Sequence, residues 1–115
     1  MAALQVQTIE SPQGVIVRLQ GEAGYLDADT LHLPLTWLSA RRPAVVVFDM
    51  EQLAFVASVV MGALVRFRRS QLHHGGKVIL AALQPSVQES FRAARLLELF
   101  ESADSVDQAF SHTLP

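Results

Sequence analysis

The sequence predicts an α/β fold: a small mixed β-sheet, made of an N-terminal hairpin plus parallel strands, covered by helices. Three observations predict it. An alternating stretch over residues 4–9 and a β-branched run over 15–19 flank a turn cluster, Glu10-Ser11-Pro12-Gln13-Gly14. Two continuous apolar runs, at 44–48 and 77–82, each follow chain-breaking residues, Pro43 and Gly75-Gly76. Helically spaced apolar residues lie between and after those runs. Alternation marks a half-buried strand, and a short turn between two such runs marks a hairpin. Continuous apolar runs suit strands buried on both faces, which is the environment of a parallel sheet between helices.

The elements follow in order. Leu4-Gln5-Val6-Gln7-Thr8-Ile9 and Val15-Ile16-Val17-Arg18-Leu19 form the hairpin, with Arg18 keeping the second strand from full burial. Leu31, Leu35 and Leu38 recur at i, i+4, i+7 beside Trp37, so a helix is expected there. Pro34 should kink that helix or mark a late start. The clearest helix runs from Ser58 to Leu72, with Met61, Leu64, Val65 and Leu72 on one face and Arg66, Arg69, Ser70 and His73 away from it. Pro85, followed by Val87, Phe91 and Ala94, opens a third helix. Residues 104–110 form a short last helix capped by Asp104 or Ser105.

Composition sets the class. The 115 residues suffice for a single domain, 1–115, and half of them are hydrophobic while 17% are charged. A disordered chain needs the opposite balance. A net charge of -2 argues against nucleic acid as a partner. With no cysteine, disulfides, thiolate metal sites and cysteine nucleophiles are excluded. The start, Met1-Ala2-Ala3-Leu4-Gln5-Val6-Gln7, has neither a basic nor an apolar signal region, and no apolar stretch is long enough to span a bilayer. The expected location is the cytoplasm, without membrane insertion.

If the strands at 15–20, 44–48 and 77–82 are parallel, their carboxyl ends share one edge. Three loops then converge there, at 21–27, 49–57 and 83–85, and open α/β sheets bind ligands and partners at that edge. Ser58 begins the clearest helix beside it. Its plain role is a helix N-cap. Its functional role is a phosphoacceptor, because a phosphate at a helix N-terminus meets free N–H groups and the positive end of the dipole. Catalysis by Ser58 has no support: Ala57 and Val59 replace the glycines of a nucleophile elbow.

The other polar groups have plainer readings. His73 and His74 diverge on a helix, and with His32 and His112 they lack metal-ligand spacing, so no metal and no cofactor are expected. Asp27 and Asp29 suit a helix's first turn, and Asp49 reads as a turn residue. Arg66, Arg68 and Arg69 read as a solvated face, with the Arg68 stem packed and its head in water. Val60, Ala63 and Phe67 form a second apolar row at i, i+3, i+7 on the same helix. That row is either a broad core-facing stripe or a dimer surface.

Several strings resemble the STAS domain, shared by anti-sigma-factor antagonists and the tails of sulphate transporters. Leu19-Gln20-Gly21-Glu22 resembles the family's Gly-Glu-Leu-Asp turn, and Val45 through Val56 its central strand and following loop. Ser58, Met61 and Gly62 fit its Asp-Ser-Ser-Gly-Leu-Gly motif at a helix start. Gly75-Gly76-Lys77-Val78 and the segment Leu96–Ala109 resemble its later strand and tail. The resemblance implies a non-enzymatic binding module whose partner is an anti-sigma factor with serine-kinase activity. It places a phosphorylation switch at Ser58 and the partner-binding edge at Tyr25, Asp27, Val56, Ala57, Val59, Val60 and Met61. The motif's Asp is Ala57 here, its second Ser is Val59 and its Gly is Val60, and the turn's Leu-Asp is Ala23-Gly24. A STAS-like scaffold without phosphorylation, or a homodimer through the Val60 row, is the alternative. An enzyme or nucleotide binder on the same sheet is a third class.

Overall fold

The structure, a computed structural model, describes residues 3–111. Strands β1 (Gln5–Ser11) and β2 (Gly14–Ala23) form the expected antiparallel hairpin. Helix α1 (Ala28–Arg41) leads to β3 (Val45–Val56), and α2 (Ser58–His73) leads to β4 (Lys77–Ala81). Helix α3 (Pro85–Ala93) and a short 3-10 turn (Leu97–Leu99) precede β5 (Glu101–Ala103) and α4 (Val106–Ser111). The sheet order is β1-β2-β3-β4-β5, with β2 to β5 mutually parallel.

Side chains alternate between two cores of unequal size. Val17, Leu19, Val46, Phe48 and Leu80 face a large core closed by α1, α2 and α3. Val47, Ile79 and Ala81 face a small one closed by Ala109 and Phe110 of α4. Edge-to-face ring pairs tie α2 and α3 into the large core: Phe48 with Phe67 at 5.8 Å, and Phe91 with Phe100 at 5.9 Å. Gly14 closes the hairpin where any Cβ would lie 2.5 Å from the Val45 carbonyl oxygen.

Three expectations about this frame change. First, β3 does not end at Phe48. It continues beside β2 to Val56, through two register shifts, so 49–56 is strand and not loop. Second, Asp49 is no turn residue. It is 5% exposed inside β3, opposite Arg18, whose Nε donates to Asp49 Oδ2 at 3.1 Å. Third, β5 is a strand that no sequence pattern announced. Pro34 neither delays nor stops α1, which runs through it. Ser105 caps α4, its Oγ accepting the Gln108 N–H at 3.1 Å.

Gln71 has a structural task. It is 1% exposed, and its Nε2 donates to the Pro43 carbonyl at 2.5 Å and the Lys77 carbonyl at 3.4 Å. The amide therefore links the starts of β3 and β4, and it leaves no room for a Cβ at Gly76. Gln71→Leu is expected to cost about 1–3 kcal/mol, because a buried carbonyl loses its partner. Urea denaturation would show it as a lower midpoint at constant slope.

Candidate functional site

The carboxyl ends of β2 and β3 lie side by side, and the chain turns there into α1 and α2. Glu22 pairs with Phe55 and Ala23 with Val56, so both strands finish together. The Ala57 N–H then donates to the Ala23 carbonyl at 2.7 Å, which fastens the start of α2 to the end of β2. Ser58 is the first residue of α2 and is exposed. Its hydroxyl makes no capping hydrogen bond, so the expected N-cap role is not the one it plays. Ala57 occupies the cap position, and no acidic residue sits in the first turn. The positive end of the helix dipole is thus uncompensated by a side chain beside Ser58.

The loop between β2 and α1 forms the other side of this edge. Asp27 holds it shut: its Oδ2 accepts the Gly24 N–H at 2.7 Å, and its own N–H donates to the Gly24 carbonyl at 3.1 Å. Asp27 is therefore the fastener of the loop, and the residues it displays are Tyr25, 72% exposed, and Leu26, 92% exposed. Val59 and Phe55, also exposed large apolar residues, flank Ser58 from α2 and β3. Tyr25, Leu26, Phe55 and Val59 are thus exposed apolar residues on the elements that meet at this end of the sheet, where Ser58 begins α2. Asp27→Ala is expected to cost about 1.5–3 kcal/mol, the scale of a hydrogen bond to a charged acceptor. Amide exchange at Gly24 should quicken in that variant, while the core amides keep their protection.

The residues singled out in the sequence divide into two groups. Tyr25, Asp27, Ser58 and Val59 reach the surface at this edge. Val56, Ala57, Val60 and Met61 do not: all four are 5% exposed or less and point into the large core or its margin. Their apolar character serves the fold, because α2 lies against α1 as well as the sheet and needs a wide buried arc. The row Val60, Ala63, Phe67 is accordingly no dimer surface, with Val60 fully buried and Phe67 4% exposed. Leu72, expected in the core, is 45% exposed at the end of the helix. Arg68 is half-buried, in keeping with a packed stem, and its guanidinium lies 5.9 Å from the Phe100 ring.

Leu26 and Phe55 are the surface residues that sequence reasoning missed. An apolar pair, Tyr25-Leu26, in a short loop outside any periodic pattern was the available signal. Phe55 was hidden by the bulges of β3. The histidines within the described residues, His32, His73 and His74, join no group able to hold a metal, and His112 lies outside those residues. Among the described residues no helix is long and apolar enough to cross a membrane.

With this geometry established, comparison with known proteins decides the family. The family model of the STAS domain matches residues 3–109. The chain belongs to the STAS domain family. Solved structures agree on the fold. An anti-sigma factor antagonist from Mycobacterium paratuberculosis superposes with a TM-score of 0.87 at 18% identity, covering 96% of this chain and 93% of that one. The Bacillus cell fate determinant SpoIIAA in its phosphorylated form gives 0.73 at 18% identity, covering 97% and 100%. A sulfate transporter family protein from Wolinella succinogenes gives 0.73 at 20% identity, covering 84% and 81%. No curated protein sequence matches the chain significantly. The STAS assignment agrees with the element order and the mixed sheet.

Proposed function

We propose that this STAS domain works as an anti-sigma-factor antagonist, a cytoplasmic regulator of transcription that acts by contact and performs no chemistry of its own. Its partner is an anti-sigma factor of the serine-kinase type, held at the edge formed by Tyr25, Leu26, Phe55 and Val59, and Ser58 is the acceptor of the phosphoryl group. The observation that carries this reading is the exposed Ser58 residue, free of any capping bond, at the start of α2 beside the exposed Val59 and at the end of the sheet whose neighbouring loop exposes Tyr25 and Leu26. A phosphoryl group there adds close to two negative charges. The α2 N-terminus tolerates that charge, so the domain stays folded. A partner that covers the apolar edge does not tolerate it, because the charge must then leave water. Contact is thus favoured without the phosphoryl group and opposed with it. That other members of this fold are described as antagonists, one of them in a phosphorylated form, supports the reading.

The test is a binding titration. Unmodified protein should bind the kinase-type anti-sigma factor of its own host, and protein phosphorylated at Ser58 should not. Equal binding by both forms would contradict the proposal.

One observation favours a second reading, a constitutive scaffold without a switch. The polar neighbours of the family's serine are replaced by Ala57, which is buried, and Val59, and the motif's Gly by the buried Val60. Mass spectrometry on protein isolated from its host separates the two. A Ser58 that is never phosphorylated under any growth condition selects the scaffold.

A further inference from the structure

The two lateral sides of the sheet are protected very differently. On one side β5 is three residues long and is followed at once by α4. On the other, β1 runs for seven residues, Gln5–Ser11. Its pairing with β2 keeps one register from Gln5 opposite Gln20 to Ser11 opposite Gly14, so no bulge turns it aside. It holds no Lys, Arg or Pro, and its single charge, Glu10, is taken up by Arg41 of α1 at 2.9 Å. Among the described residues no loop or helix makes a backbone hydrogen bond to it. Alternate N–H and C=O groups of such an outer strand point away from the sheet. Lys, Pro, bulges, shortness or a covering segment commonly keep other chains from pairing with them. β1 is long, regular, and free of both Lys and Pro.

Exposed apolar side chains stand beside the same strand. The flank of α1 toward α2 carries His32, Thr36 and Ser39. The opposite flank lies over β1, since Arg41 there pairs with Glu10. The Arg41 guanidinium sits 4.6 Å from the Trp37 ring, which puts Trp37 on that flank, and Leu33 lies one turn earlier on the same strip. Trp37 is 40% exposed and Leu33 76%, and neither belongs to the large core. Both features fit one occupant, a second copy of this chain. An antiparallel β1–β1 pair has its two-fold axis perpendicular to the sheet, so the α1 helices of the two copies come to the same side and face each other across the axis. With the axis at Thr8, the middle of the strand, Glu10 of one copy lies opposite Val6 of the other and no like charges meet.

We propose that the domain forms a two-fold homodimer in which the β1 strands pair antiparallel into one continuous sheet and the Leu33–Trp37 strips of α1 pack across the axis. The outward backbone groups of β1 then find partners, and the exposed strip is covered by its own copy. The interface does not include α2, so each copy still presents its own Ser58.

The experiment uses the full chain in sedimentation, together with tryptophan emission and amide exchange. A dimer is expected with a dissociation constant on the order of 10 μM, as suits a small interface. Trp37 is the only tryptophan, so emission should move to the blue as the chain is concentrated. Amides in the middle of β1 should gain protection over the same range. Thr8→Lys sets two like charges together at the axis, and Leu33→Lys removes the apolar contact between the helices. Both positions are exposed, so both variants should keep the circular dichroism of the folded domain. Each should weaken the dimer about tenfold or more. Ser58→Glu should dimerise as the wild type does, which keeps this result separate from the anti-sigma-factor reading. The proposal is overturned if the chain stays monomeric at about 1 mM, roughly a hundredfold above the expected constant. It is also overturned if a dimer forms that neither lysine variant weakens, or if the protection appears on another surface.

Discussion

Val60→Asp is expected to remove much of the stability of the domain. Val60 is fully buried in the large core beside Met61, Leu64 and Phe67. An unpaired carboxylate there costs about 3–5 kcal/mol, against a total stability of about 5–15 kcal/mol for a domain of this kind. Loss of near-UV circular dichroism, or a fall in melting temperature too large for a surface change, would show it. A dimer surface at Val60 predicts the opposite, a well-folded monomer. Sedimentation and circular dichroism on the same sample therefore separate the two meanings of the apolar row. Val59→Asp, one residue away but 40% exposed, should leave the fold nearly unchanged.

Ser58→Glu should have the largest effect on function. The side chain carries one negative charge at the α2 N-terminus, where the dipole favours it by about 0.3–1 kcal/mol, so thermal stability should hold or rise slightly. Binding to the kinase-type anti-sigma factor should fall by about 100-fold or more, the result of burying a charge against an apolar partner surface, worth about 3 kcal/mol. Ser58→Ala removes only the acceptor oxygen, and because that oxygen caps nothing, both stability and binding should persist. Calorimetric titration of the two variants reads the difference. Equal affinities for the glutamate and alanine variants would mean that charge at this position is not what the partner senses.

The contrast between neighbouring residues shows what the sequence could and could not reveal. The hairpin, the parallel strands and the helices between them were legible because each follows one period, two for β1 and β2 or about 3.6 for α2. The second half of β3 follows neither. Its burial runs buried at Met50, Leu53 and Val56 with two exposed residues between each. Two bulges cause this, since β3 spends three residues from Asp49 to Gln52 against two in β2, and two from Leu53 to Phe55 against one. An inserted residue flips the side chains that follow, so a strand disguises itself as a loop. The same effect hid Phe55 as a surface group, whereas Asp49 precedes the first bulge and was misread because the apolar run stops at Phe48. Strand β5 is three residues long and too short to show any period.

The candidate edge was legible in outline only. Ser58 and Val59 follow from the helix start, and Tyr25 and Asp27 from the loop after β2. What apolar residues do at such an edge depends on which way they turn, and that is set by packing. Val60 and Met61 turn inward because α2 is wedged against both the sheet and α1, whereas Val59 is left outside. Leu26 needed the Asp27–Gly24 hydrogen bonds, which tighten the loop and hold its tip in water.

The most direct measurement is phosphate transfer itself. The protein and its Ser58→Ala variant are incubated with the kinase-type anti-sigma factor of the same host and ATP, then digested and sequenced by mass spectrometry. The account predicts one phosphoryl group, on Ser58, in the wild-type chain and none in the variant. A kinase that fully modifies a control substrate yet leaves Ser58 untouched, or one that modifies both chains alike, would contradict it.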